Sequence, residues 1–296
     1  MSEKVTKVPS LPARDREGHK GSYGKVLVVG GSRGMAGAVG LASNSALRGG
    51  AGLVMFAAPE KVQLTIAAIA PCATSTPLPC DEIGNVSAEA GKPMRQTLDK
   101  CDILAIGPGF DKGTPQEQLI RIALEQDKPA VIDADGLNNL AKIDNWPALR
   151  KCPLVLTPHP GEFSRLTGKG IKDIQSDRRN AAEQAAGEWA AATETDQPLV
   201  LVLKGAGTVV TDGERTYIND TGNPGMASGG SGDVLTGLTA ALLGQGLEAF
   251  DAACLAVWVH GTAGDLAAGQ LGQPSVMATD LLDYLPEAMT RAIEQE

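Results

Sequence analysis

The stretch with the most chemistry in it is Asn223-Pro-Gly-Met-Ala-Ser-Gly-Gly-Ser-Gly-Asp233, which runs straight into the apolar residues 234–243. Gly229, Gly230, Ser231 and Gly232 open a helix with almost no side-chain bulk, so several unpaired amide N–H groups point into one small volume. The positive end of the helix dipole falls at the same place, which makes Gly230, Ser231 and Gly232 a phosphate or anion site. A carboxylate at Asp233 repels a phosphate. Its chemistry there is that of a base, taking a proton from a hydroxyl that attacks the phosphate. On these residues alone a second reading stays open, in which Asp233 caps the helix and the glycines allow close packing.

Other residues add to the pattern. His159 lies between Pro158 and Pro160, with Gly161 next. Two prolines restrict the backbone, so the imidazole is presented to a ligand rather than left mobile. Glu162 begins a helix, where it either satisfies the helix start or orders water around a Mg²⁺ on nucleotide phosphates. Lys204 ends an apolar run and is followed by Gly205, Ala206, Gly207 and Thr208, a cation beside backbone amides that suits a phosphate. Asp133 and Asp135 either share the metal or water role or form a turn, Asp135-Gly136 being a turn signal. The stretch Gly30-Gly-Ser-Arg-Gly-Met-Ala-Gly-Ala38 misses the spacing of the dinucleotide fingerprint. It is either a turn that lets the next helix pack closely or a place of backbone contact at Gly37 or Ala38. His260, in an apolar helix, reads as a packing residue.

These residues stand at the ends of apolar runs, and the runs set the elements that must hold them. Strands are predicted over 25–31, 53–58, 102–106, 130–133, 154–157 and 199–203, with an edge strand over 73–78 closed by Pro77 and Pro79. A hairpin over 209–211 and 215–218 turns at Asp212-Gly213. Helices are predicted over 36–49, 62–69, 88–100, 115–126, from the 158–162 segment to about 166, and over 177–192 with Ser176 as N-cap. Three more, over 230–243, 249–268 and 279–293, finish the chain. The strands are continuous rather than alternating apolar runs, the pattern of strands covered on both faces. Strand and helix alternate, which predicts an α/β fold of three layers with a mostly parallel central sheet. Ligands in such a sheet bind beyond the carboxyl ends of the strands, so the marked residues converge on one rim. No linker divides the chain. Residues 1–20 read as an extended lead-in and 21–296 as a single domain.

Composition narrows the function classes. A chain of 296 residues, 43% hydrophobic and 21% charged, buries a large core. The formal net charge of -9 argues against nucleic-acid and anionic-membrane partners. Five cysteines, odd in number and without a C-x-x-C pair, read as reduced thiols. There is no signal-like apolar region or membrane-length run, so the expected location is cytoplasmic.

Taken together, the motifs closely resemble the ADP/ATP-dependent NAD(P)H-hydrate dehydratase family of the ribokinase-like superfamily. The matching stretches run from His19-Lys-Gly-Ser-Tyr-Gly-Lys25 through Gly107-Pro-Gly109, Asp133-Ala-Asp-Gly-Leu-Asn138, Thr157-Pro-His-Pro-Gly-Glu162 and Lys204-Gly205 to Gly222-Asn-Pro-Gly-Met-Ala-Ser-Gly-Gly-Ser-Gly-Asp233. The resemblance implies a three-layer fold and a repair lyase for hydrated NADH or NADPH. Such an enzyme phosphorylates the C6 hydroxyl with ADP or ATP and Mg²⁺, then eliminates phosphate. It implies Asp233 as the catalytic base, and Ala38, Gly109, His159 and Asp233 as contacts for the hydrated cofactor. Lys204, Gly205, Ala206, Gly207, Thr208 and Gly232 would contact the nucleotide, and Glu162 the metal through water. It also implies a homo-oligomer, with a tetramer as the candidate assembly. Ser228 and Ser231 stand where the family often has Thr, which keeps the hydroxyl. Only about 20 residues precede the match, so the epimerase activity fused to many relatives is not expected. Two rival readings are a vitamin-precursor alcohol kinase of the same superfamily and a non-catalytic dinucleotide-binding protein.

Overall fold

The computed structural model describes residues 2–11 and 13–294. Its strands are β1 (Glu3–Val5), β2 (Lys25–Val29), β3 (Leu53–Pro59), β4 (Thr74–Leu78), β5 (Ile103–Ile106), β6 (Ala130–Ile132), β7 (Leu154–Leu156), β8 (Leu199–Leu203), β9 (Val209–Thr211) and β10 (Arg215–Ile218). They form one 10-stranded sheet in the order β1-β10-β9-β8-β7-β6-β5-β2-β3-β4. From β8 to β4 every pairing is parallel, while β9 is antiparallel to both β8 and β10. The chain steps outward from β2 to β4, returns to β5 on the other side of β2, and then steps outward to β8. The order therefore reverses between β2 and β5, and a crevice opens there at the strands' carboxyl ends.

Why this sheet has two covered faces is plain from β2. Val26 and Val28 point into one apolar core, and Leu27 and Val29 into the other, because side chains alternate along a strand. The first core is closed by α1 (Ala36–Arg48), α2 (Glu60–Ile69), and three later helices: α10 (Ser231–Gly244), α11 (Ala249–Leu271) and α12 (Ala278–Ile293). The second is closed by α3 (Gly91–Leu98), α4 (Thr114–Glu125), α5 (Asp135–Leu140), α6 (Trp146–Leu149), α7 (Pro160–Thr167), α8 (Ile171–Ser176) and α9 (Arg178–Ala191). The α/β three-layer fold is thus as the sequence indicates. Helices α1 and α10 meet backbone to backbone, since a Cβ on Gly237 would lie 1.9 Å from the carbonyl oxygen of Ala42. Among the described residues no helix is long and apolar enough to cross a membrane. The five cysteines are free thiols, three of them buried.

Local differences have physical reasons. The helix predicted over 88–100 is a 3₁₀ turn followed by α3, because Pro93 has no N–H to return to Glu89 and cannot continue a helix from there. Ser176 does not cap α9. Its hydroxyl donates to the carbonyl of Asp173 at 2.7 Å, while Asp177 accepts from the Asn180 amide at 3.1 Å. The lead-in contributes β1, an edge strand parallel to β10, rather than only extended chain. Residues 135–140, which carry a turn signal, form α5 instead.

Candidate active site

The ends of β6, β7 and β8 and the start of α10 surround a cavity of ≈ 930 Å³, with Asp133, His159, Glu162, Lys204, Asp233 and His260 in its wall. Helix α10 opens from Gly230, held at φ 95, and no side chain caps it. The amides of Gly232 and Asp233 have no hydrogen-bond partner among the described residues, and both residues line the cavity, as the orphan donors of an anion-binding helix start would. The sequence reading placed the anion site on Gly230, Ser231 and Gly232, and all three line this cavity.

A charged network lies beside those amides. Lys204 Nζ donates to Asp133 Oδ1 at 2.6 Å and stands 4.0 Å from Glu162 Oε2. Thr236 Oγ1 donates to Asp133 Oδ2 at 2.6 Å, which ties the end of β6 to α10. A Cβ at residue 232 would come within 3.2 Å of Lys204 Nζ and crowd it. Burial works against the charge of Lys204, yet the Asp133 and Glu162 carboxylates outweigh it and hold the ammonium above its ordinary pKa. Burial, reinforced by the negative charge of Asp133, pushes Asp233 up to about 7. Burial also pushes Glu162 up to about 7, although Lys204 pulls the other way. A carboxylate poised near neutrality is what proton removal from a hydroxyl requires.

His159 is engaged in a way its sequence did not reveal. Its Nδ1 accepts from the amides of Gly161 at 2.9 Å and Glu162 at 3.3 Å, so the imidazole is the N-cap of α7. Glu162 Oε2 returns the contact by accepting from the His159 amide at 2.8 Å, a reciprocal capping box. With Nδ1 an acceptor, the proton of the neutral ring is on Nε2, 3.2 Å from Glu162 Oε1. Burial and then Lys204 lower the pKa of the ring, which favours that neutral form. The readable signal is His-x-x-Glu at a helix start, and His19-Lys-Gly-Ser22 repeats the device, with Nδ1 accepting from Gly21 at 3.0 Å.

The remaining predicted contacts lie elsewhere on the rim. Gly109 follows β5 at φ 59, and a Cβ there would meet the Met35 carbonyl at 2.5 Å and Ala38 Cβ at 3.1 Å. Gly109 and Ala38 are therefore packed together at the β2–β5 crevice, outside the wall of the large cavity. Strand neighbours are about 4.8 Å apart, so four steps from β2 to β8 give a rim roughly 19 Å long. Lys204, Gly205, Ala206, Gly207 and Thr208 do line the cavity, together with Gly232. Thr208 Oγ1 donates to the Gly205 carbonyl at 2.9 Å and closes that turn.

Two features were not singled out by sequence reasoning, and a third was read as packing alone. Asp265 accepts from the Gly222 amide and from Asn223 Nδ2, at 2.8 and 2.9 Å, and so holds a loop of the cavity wall. His260, read as a packing residue, also lines the cavity, where its Nε2 donates to the Ser231 carbonyl at 2.9 Å; burial lowers its pKa to about 4. Ala134, between Asp133 and Asp135, is held at φ 51 and ψ -126, a strained conformation for a residue with a Cβ and one that collects at functional sites.

No group of three or more His, Cys, Asp or Glu among the described residues could hold a metal ion. The described residues thus form no all-protein cage. Mg²⁺ on phosphates keeps several waters and needs only one or two carboxylates. Glu162, buried with its nearest cation 4.0 Å away, fits that part.

The three-layer fold, with its cleft beyond the carboxyl ends of the strands, is ribokinase-like. A ribokinase-like superfamily protein from Enterococcus faecalis has this fold, with a TM-score of 0.82 over 98% of this chain and 96% of that one at 24% identity. The NAD(P)H-hydrate dehydratase family model matches residues 26–287, and the chain belongs to that family. A bifunctional NAD(P)H-hydrate repair enzyme of Moorella thermoacetica is 48% identical over 97% of this chain and 53% of its own length. The chain thus spans about half the length of such curated relatives. A solved ADP/ATP-dependent NAD(P)H-hydrate dehydratase from Bacillus subtilis, co-crystallised with ATP/Mg²⁺, is 33% identical. It covers 96% of this chain and 95% of its own, with a TM-score of 0.79.

Proposed function

We propose that this chain dehydrates the hydrated, 6-hydroxy form of NADH or NADPH, with ADP or ATP as phosphoryl donor. The observation that carries the reading is Asp233, a carboxylate raised to about 7 at the uncapped start of α10, in the same cavity wall as Lys204 and within reach of its charge. Asp233 takes the proton of the C6 hydroxyl as the oxygen attacks the terminal phosphoryl group. Such a base contributes about 10²–10⁴ in rate. The free amides of Gly232 and Asp233 and the ammonium of Lys204 hold the charge that gathers on the phosphoryl oxygens. Glu162 would hold a nucleotide-bound Mg²⁺ through water, and the ion would supply partial neutralisation of the phosphate charge. The phosphorylated ring then needs little help. Its nitrogen lone pair expels phosphate from C6, and loss of the C5 proton restores the double bond.

The nucleotide is assigned to the Lys204–Thr208 turn and Gly232. The hydrated nicotinamide is assigned to the seam at Asp233 and His159, its remainder running along the rim toward Ala38 and Gly109. Incubation with hydrated NADH and either ADP or ATP tests the proposal. The absorbance of reduced nicotinamide should rise with at least one nucleotide and stay flat without either. A flat trace with both would overturn it.

A further inference from the structure

Arg178 is a cation placed where almost everything opposes it. It is the first residue of α9, whose opening turn contains no acidic residue, so the helix dipole repels its charge. Its Nε is buried without a hydrogen-bond partner, and burial lowers its pKa. Arg178 pairs with no carboxylate among the described residues, whereas its neighbour Arg179 pairs with Glu183 at 2.6 Å. What holds Arg178 is the end of β8. Nη2 donates to the Leu203 carbonyl at 2.9 Å and Nη1 to Gln175 Oε1 at 3.0 Å. The guanidinium also fills the space of a missing side chain, since a Cβ on Gly205 would lie 2.9 Å from Nη1 and 3.0 Å from Nη2. Gly205 is at φ +147, which an L side chain rarely adopts.

A half-buried guanidinium whose Nε is covered without a partner, and which pairs with no carboxylate among the described residues, is suited to serve an anionic group nearby. The nearest candidate is whatever occupies the turn after Leu203. Lys204 is fixed to Asp133 there, and the amides of Ala206 and Gly207 have no partner among the described residues. We propose that Arg178 is a positioning residue for the phosphate groups of ADP or ATP: it clamps the Leu203 carbonyl, seats the Gly205 turn against itself, and lends the turn a second positive charge beside Lys204. This rests on the assignment of residues 204–208 to the nucleotide. It adds a group outside the cavity wall that acts on one of the two ligands only.

The test uses the full chain and three variants: Arg178→Met, Arg178→Lys and Gly205→Ala. Calorimetry measures ADP affinity without turnover, and steady-state kinetics separates the KM values of ADP and of hydrated NADH. Removing one charge-assisted contact should raise Kd and KM for ADP roughly tenfold in Arg178→Met. KM for hydrated NADH should stay within twofold. Arg178→Lys should recover part of the loss, and Gly205→Ala, which evicts the guanidinium from the other side, should raise Kd for ADP in the same direction. If Arg178→Met fails to fold, the other two variants carry the test. An unchanged ADP affinity in the folded variants, or an equal loss for both ligands, overturns the proposal, as does wild-type protein that binds no ADP. Wild-type protein that binds ADP but does not dehydrate would overturn the reaction while leaving the role of Arg178 measurable by calorimetry.

Discussion

The two ends of the rim are built by different means. At β6, β7 and β8 the candidate groups are side chains: Asp133, Lys204, Glu162 and Asp233 share a cavity, where burial raises Asp233 and Glu162 and the charges of Asp133 and Lys204 act on both. At β2 and β5 the work is done by backbone. Gly30, Gly107 and Gly109 allow contacts that a single methyl would block, with a Cβ on Gly107 falling 1.9 Å from the Asp133 carbonyl. The first end can be altered in charge while its shape is kept. The second cannot be altered without changing its shape. Mutations should therefore separate the two: isosteric changes at the charged end lose rate with little loss of fold, and minimal changes at the glycine end lose fold and binding together.

The largest effect is expected for Asp233→Asn, with kcat lower by about 10²–10⁴ and ADP affinity retained. Wild-type kcat/KM should rise with pH up to about 7, as Asp233 ionises, and this rise should vanish in the variant. Stability moves the opposite way. The folded pKa is raised from 3.8 to about 7, so the folded protein holds a proton that the unfolded chain releases, and stability is lost as pH rises through that window. Asparagine removes the penalty, so at pH above about 7 thermal or urea unfolding should show the variant more stable by roughly 1–4 kcal/mol. A variant less stable than wild type there would contradict the burial of an ionisable Asp233.

Gly109→Ala comes next. A Cβ at φ 59 against the Met35 carbonyl should cost about 1–3 kcal/mol in unfolding free energy. It should also raise KM for hydrated NADH with no change in ADP affinity; a rise in both would mean that the two ends of the rim are not separate. The smallest effect is assigned to His159→Ala. Losing the cap of α7 should cost about 1 kcal/mol, and the hydrated-cofactor KM should rise a few-fold. A loss confined to ADP affinity would remove His159 from the hydrated-cofactor site.

The charged end was more legible than the glycine end, for physical reasons. Lys204, Asp233 and Glu162 are ionisable types at the ends of apolar runs, where burial is expensive and a purpose is implied. The network around Asp233 was not legible, because Asp133 meets Lys204 and Thr236 across 71 and 103 residues of sequence. His159 shows what its neighbours in sequence leave unsaid. The flanking prolines do fix it, but the ring is spent on Gly161 and Glu162, a capping pattern usually written with Ser or Thr. The strand and helix pattern was readable wherever apolar runs were continuous. It failed at α5, where Asp135-Gly136 indicates a turn and the chain instead follows tertiary contacts made by Gly107 and Gly136.

Gly237 gives the cleft a mechanical character as well as a chemical one. Because α1 and α10 touch through main chain at Ala42 and Gly237, neither helix can slide past the other by exchanging rotamers, as helices separated by side chains do. The helix that begins beside Ala38 and the helix that begins at Asp233 thus form one stiff jaw.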